Sequence, residues 1–180
     1  ALKLRKISKN SLHVIQTQND FSSPDSNVRQ RLQALHRLNE LYLDDHSPKL
    51  TTRLLEITAA AFESDCASLW LFNEGKTALE CQASVGKALQ SRPSQSLQPG
   101  KGLAGSVCEK NKSLVLKTCK DDNSFPDEFA SDSTIAACPA LISPLVYGGI
   151  TYGAIEIFGH LGSEFNQSDL SFLSDVTVPA

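Results

Sequence analysis

The chain has 180 residues, a net charge of −3, 41% apolar residues and 21% charged ones. That length suffices for one domain with a sizeable core plus a flanking segment, and the mixed charge offers no basic field for nucleic acid or anionic membrane. No apolar run approaches the ~18 residues of a membrane-spanning helix, and the basic start Ala1–Ile7 lacks a signal peptide's apolar centre.

Residues 1–27 read as a polar arm or linker, broken by Ser22-Ser23-Pro24-Asp25-Ser26. Residues 28–180 read as one domain that includes a leading amphipathic helix. Ser26 or Asn27 is expected to cap that helix. Val28, Leu32, Leu35, Leu38 and Leu41 or Tyr42 recur at spacings of three and four, with Arg29, Gln30, Arg31, Gln33 and Arg37 on the other face. The stripe reads either as a cover for its own domain or as a seam between two chains.

Ser47-Pro48 opens a second helix, whose buried face is Leu50, Leu54, Leu55, Ile57, Thr58, Ala61 and Phe62, ending at Ser64-Asp65. Cys66–Phe72 and Leu79–Val85 read as strands joined by a tight turn at Asn73–Lys76. Residues 86–99 are a Ser/Gln/Pro-rich connection. The glycine turn Pro99-Gly100-Lys101-Gly102 leads into a short helix to Lys110, followed by a strand at Leu114–Leu116 and an acidic loop. Phe125–Ala130 is expected to form one helical turn. Ala140–Tyr147 and Ile150–Phe158 form a hairpin about Gly148-Gly149. Helices at both ends and antiparallel strands between them make an α+β fold. The pattern begun at Ser168–Leu173 runs to the chain end without a glycine cap. Together with the absence of methionine, this reads as a piece of a longer protein whose last helix is truncated.

Five cysteines (Cys66, Cys81, Cys108, Cys119, Cys138) are odd in number, with no C-x-x-C pair and no histidine at ligand spacing. They read as reduced thiols, and the expected setting is the cytoplasm. No metal site and no catalytic constellation of hydrolase, protease or Walker type is present. Asp127-Glu128 reads as a solvated loop face or first helical turn.

The order of these pieces resembles a GAF domain, over roughly positions 35–180. The glycines of Pro99–Gly105, the strand Leu114–Leu116, Ser143-Pro144-Leu145, Gly153–Ile157, and Phe165 with Asp169-Leu170 are similar to successive motifs of that family. The resemblance implies a GAF/PAS-like fold: a central antiparallel sheet of five or six strands, terminal helices on one face, and a loop-covered pocket on the other. It also implies a small-molecule-sensing regulatory domain of a larger signal-transduction protein, with an output domain in the same parent chain and a homodimer formed through terminal helices. The expected lining of the pocket is Trp70, Phe125, Phe129, Ser133, Thr134 and Cys138, for an unidentified small molecule; no cofactor is assigned.

Particular ligands fit less well. Gly159-His160 and Asp169-Leu170 replace two elements of the family's cyclic-nucleotide set, and no bilin-attachment string occurs. His13, His36 and His46 fall outside the expected pocket, and His160 reads as solvated. Two alternatives remain. One is a ligand-free dimerisation module with Val28, Leu32, Leu35, Leu38 and Leu173 at the seam. The other is a thiol redox enzyme resembling free methionine-sulfoxide reductase and using Cys108, Cys119 and Cys138, although the positions matching that family's cysteines hold Ala104 and a residue near Ser133.

Overall fold

The computed structural model describes residues 26–43, 50–64, 66–89, 95–125 and 133–177. In chain order these form α1 (Ser26–Leu43), α2 (Leu50–Ala60), β1 (Cys66–Phe72), β2 (Leu79–Val85), β3 (Ser96–Leu97), α3 (Gly102–Lys110), β4 (Leu114–Leu116), α4 (Ser133–Ala137), β5 (Ala140–Tyr147), β6 (Ile150–Phe158) and α5 (Gln167–Thr177). Short 3₁₀ turns stand at Lys87–Leu89 and Cys119–Asp121. The six strands form one antiparallel sheet in the order β3-β2-β1-β6-β5-β4.

Strand alternation divides the interior into two cores. On one face Ala67, Ala83, Leu141, Ile155 and Ile157 meet Ala34, Leu55, Ala59, Phe62, Leu170 and Leu173 of the terminal helices. On the other, Trp70, Leu79, Cys81, Ala140, Ile142, Ala154 and Phe158 meet Leu103, Ala104 and Val107 of α3, with Leu89, Cys119 and Ile135. The terminal helices therefore take one face and the turns and α3 the other, as expected from sequence.

Helix ends follow local rules. Glu63 adopts the left-handed conformation (φ 54°), with Ser64 N–H returning to Ala59 O and Glu63 N–H to Ala60 O, both at 3.1 Å. This is a Schellman stop made without glycine. Asn111 (φ 46°) also ends α3 in the left-handed conformation, its N–H returning to Val107 O. Asn166 and Asp169 form a reciprocal capping box on α5. The Asn166 side chain accepts from Ser168 N–H (2.7 Å) and Asp169 N–H (3.2 Å), while Asp169 accepts from Asn166 N–H (2.7 Å).

The strands match the sequence reading, and β3 and α4 are additions to it. Ser26 and Asn27 lie inside α1 rather than capping it. The proposed Ser47-Pro48 start and nearly all of the Phe125–Ala130 turn lie outside the described residues.

The larger correction concerns α1. The face that docks is Gln30, Arg31 and Ala34, while Val28, Leu32 and Leu35 are 47%, 60% and 43% exposed. The reason is local. α1 crosses the end of α2 and the start of α5, where polar groups await partners. The Gln30 amide donates to Ala60 O at 2.7 Å, and the Arg31 guanidinium donates to Asp169, lies near Ser168 Oγ and stands 5.1 Å over the Phe172 ring.

Candidate functional site

β6 reads Gly153-Ala154-Ile155-Glu156-Ile157-Phe158, and its alternation puts Glu156 on the α3 face between Ala154 and Phe158. The carboxylate is 2% exposed. It accepts from Ser68 Oγ (2.5 Å) and Trp70 Nε1 (3.0 Å) on one oxygen, and from Ala104 N–H (3.1 Å) on the other. The indole N–H is shared with Ser68 Oγ at 3.1 Å. Ala104 lies in the first turn of α3, so the carboxylate also meets the positive end of that helix. A buried charge is tolerable only when hydrogen-bonded in this way.

This explains the glycine turn. The Ala104 amide at the start of α3 already faces a carboxylate, so a second anion is excluded there. Gly100 and Gly102 supply the positive φ of the turn (78° and 69°), and Gly105 serves close packing: a Cβ on it would stand 3.0 Å from Gln98 O. Gly153 has the same role more severely. A Cβ there would lie 1.9 Å from Trp70 O, where β1 carries a register irregularity between Leu69 and Trp70.

One turn beyond Ala104, burial first and the Glu156 charge second push the Cys108 thiol up from 9.0 to about 12. A thiol so held is a small apolar core group, not a nucleophile.

Beyond this polar knot the same sheet face opens to solvent. Ser68 pairs with Glu156 across β1 and β6, and two residues along the strands Cys66 pairs with Phe158. Cys66 and Phe158 line a cleft of about 450 Å³ with Gly86, Lys87, Ala88, Ile135, Cys138, Gly159, His160 and Leu161. Two further clefts lie on or beside the terminal helices. A polar one of about 300 Å³ surrounds Arg31 and Asp169, and an apolar groove of about 390 Å³ runs past Leu35, Leu54, Leu145, Ile155 and Val176.

Of the residues expected in the pocket, Cys138 lines the cleft and is buried. Ser133 and Thr134 open α4, the short helix whose Ile135 forms part of the wall. Trp70 is 1% exposed in the core behind the cleft, committed to Glu156 and Ser68, and Phe125 packs half-buried against that core. Phe129 lies outside the described residues. Sequence reasoning passed over Glu156, although a lone carboxylate in an otherwise apolar strand was a signal. Lys87 and His160 gave none, because only the fold brings the end of β2 beside the end of β6. No group of three or more metal-ligating side chains occurs among the described residues.

The profile of the GAF domain matches residues 46–178. The chain belongs to the GAF domain family. Solved structures agree on the fold. A GAF domain of A. aeolicus nlh2 in an inactive state superposes with a TM-score of 0.68 at 16% identity, covering 84% of this chain and 93% of that one. The GAF domain of an Acinetobacter phosphoenolpyruvate-protein phosphotransferase gives 0.63 at 20% identity, covering 83% and 86%. A free methionine-R-sulfoxide reductase from Neisseria meningitidis, in complex with its substrate, gives 0.67 at 16% identity, covering 87% and 89%. No curated protein matches the chain at a significant level. The GAF fold thus serves regulatory domains and at least one enzyme among these neighbours, and identities this low carry the fold alone.

Proposed function

We propose that this GAF domain is a small-molecule sensor within a larger signal-transduction protein of the cytoplasm, and that its role is regulatory rather than catalytic. The observation that carries this is the cleft on the sheet face opposite the terminal helices. It is within the usual size of ligand sites and is walled by Ile135 and Phe158 with a few polar groups.

A route to the helices supports the reading. On β6, Phe158 and Glu156 face the cleft side while Ile155 and Ile157 pack on α2 and α5. On β5, Ile142 pairs with Glu156, and the next residue, Ser143, meets Thr177 of α5 (3.1 Å) and Ser113 (3.0 Å). A ligand that prefers one arrangement of β5 and β6 would bias α5 by that difference in affinity.

The test is native mass spectrometry of the purified full-length chain, with thermal shift across a metabolite panel. A co-purified mass, or a compound that raises the melting temperature and whose effect Ile135→Trp abolishes, supports the sensor. Bare protein and a flat panel would refute it.

A second reading, dimerisation, is favoured by the outward face of α1. Val28, Leu32 and Leu35 are exposed, and Leu35 also borders the apolar groove beside α2 and α5. Leu173 leaves this seam, because it is fully buried against the sheet. The thiol-enzyme alternative loses support at Cys108, whose proton is held by burial.

A further inference from the structure

We infer that the cleft between β1, β6 and α4 takes a small amphipathic carboxylate, an apolar body carrying one acid group. The inference rests on the sensor reading above and names the chemistry of its ligand. Two observations carry it. The first is the wall: Ile135, Phe158 and Leu161 line a cleft of about 450 Å³, room for a short chain or a single ring.

The second is the distribution of charge. Lys87 and His160 both line this cleft, from the end of β2 and the end of β6, and among the described residues no carboxylate lines it. The clefts beside the terminal helices differ: in one, which His160 also borders, Glu63, Glu164 and Asp169 stand with Arg31, and Asp175 stands in the other. The chain as a whole carries −3, so a cleft whose described lining holds Lys87 and no carboxylate is a local departure from its average. The ion pair among the described residues joins Arg31 to Asp169 and leaves Lys87 uncommitted.

The alternatives fit less well. A bare metal ion lacks a ligand cluster among the described residues, and a cationic ligand would meet Lys87 without a counter-charge. Phosphate binding at the α3 turn is blocked by the Glu156 carboxylate on Ala104 N–H. Apolar burial supplies most of the affinity, at ~0.8 kcal/mol per buried CH₂. A rim charge in solvent adds roughly fivefold, the size of an exposed ion pair.

Cys66 supplies the readout, because it lines the cleft and is partly exposed. The rate of its alkylation by N-ethylmaleimide is followed by peptide mapping, with Cys108 as the buried control. Octanoate, octanol and octylamine are titrated, and phenylpropionate is compared with phenylpropanol. At least one carboxylate should protect Cys66 at a concentration roughly fivefold below its neutral partner, with octylamine weakest. Lys87→Glu, an exposed change that leaves the core untouched, should erase or invert that order.

Equal protection by carboxylate and alcohol, stronger protection by the amine, or protection by none overturns the inference. If these probes fail while another compound shifts the melting temperature of the full-length chain through the Ile135 wall, the carboxylate class fails and the sensor stands. If both experiments are flat, both fail.

Discussion

Replacing Glu156 by glutamine changes one atom, and the structure says what that atom does. The carboxylate receives the Trp70 indole N–H and the Ser68 hydroxyl on one oxygen and the Ala104 amide on the other. A glutamine side chain offers one oxygen and one NH₂. The Ser68 hydroxyl can turn to accept from that NH₂, but the Trp70 and Ala104 N–H groups point in fixed directions at different oxygens. Either rotamer therefore leaves one buried N–H facing another donor. An orphaned buried donor costs about 1–3 kcal/mol. For a chain of this size the melting temperature falls by about 2–4 °C per kcal/mol, so Glu156→Gln should lower it by about 2–12 °C. Trp70 is the single tryptophan of the chain and sits in the perturbed knot, so urea unfolding followed by its fluorescence reads the effect directly. Circular dichroism of Glu156→Gln with Trp70→Phe adds a check: deleting the indole donor should make the two costs less than additive. A glutamine variant within about 0.5 kcal/mol of the parent, the range of an ordinary surface substitution, would refute the claim that the carboxylate ties β1, β6 and α3 together.

Three further outcomes are expected. Cys108 has its folded pKa raised to about 12 from 9.0, so above pH 9 the unfolded chain loses this proton while the folded one keeps it. Stability should therefore fall as pH rises from 9 toward 12, and Cys108→Ala should show a shallower fall by urea titration; parallel curves would contradict this. Gly153→Ala places a Cβ 1.9 Å from Trp70 O and should cost about 1–3 kcal/mol or more, against about 1 kcal/mol for Gly149→Ala in its open turn (φ 77°); thermal melts showing equal costs would disprove the close approach. Leu32→Glu, at a residue 60% exposed on the α1 stripe, should leave the melting curve of the monomer unchanged while weakening self-association by light scattering; dimers that persist undiminished would remove α1 from the seam.

Much of this fold was legible because its determinants are local. The alternation in Cys66–Phe72, Leu79–Val85 and Ile150–Phe158 has period two, and Gly148-Gly149 supplies the positive φ of a tight turn, so strands and hairpin follow from the chain itself. The succession of glycine turn, helix, short strand and Pro-Leu hairpin then suffices to place the chain in the GAF family. What neighbouring residues cannot fix is which surface meets which. On α1 the apolar stripe with Val28, Leu32 and Leu35 read equally as a cover for its own domain or as a seam between chains, and the first of these readings fails. The tertiary structure docks Gln30, Arg31 and Ala34 instead, burying Ala34 and half-burying the other two, because Ala60 O and Asp169 demanded donors at that crossing. The site shows the same division. Cys138, expected in the pocket, lines the cleft, whereas Glu156 acquired its role only when Ser68 and Trp70 of β1 and Ala104 of α3 closed on it. Lys87 and His160 came to share a cleft only because β1 lies between β2 and β6 in the sheet. Sequence determines elements through short-range periodicity and turn chemistry; the partners of a charge are decided by long-range packing, where an unsatisfied buried polar group costs more than an exposed leucine.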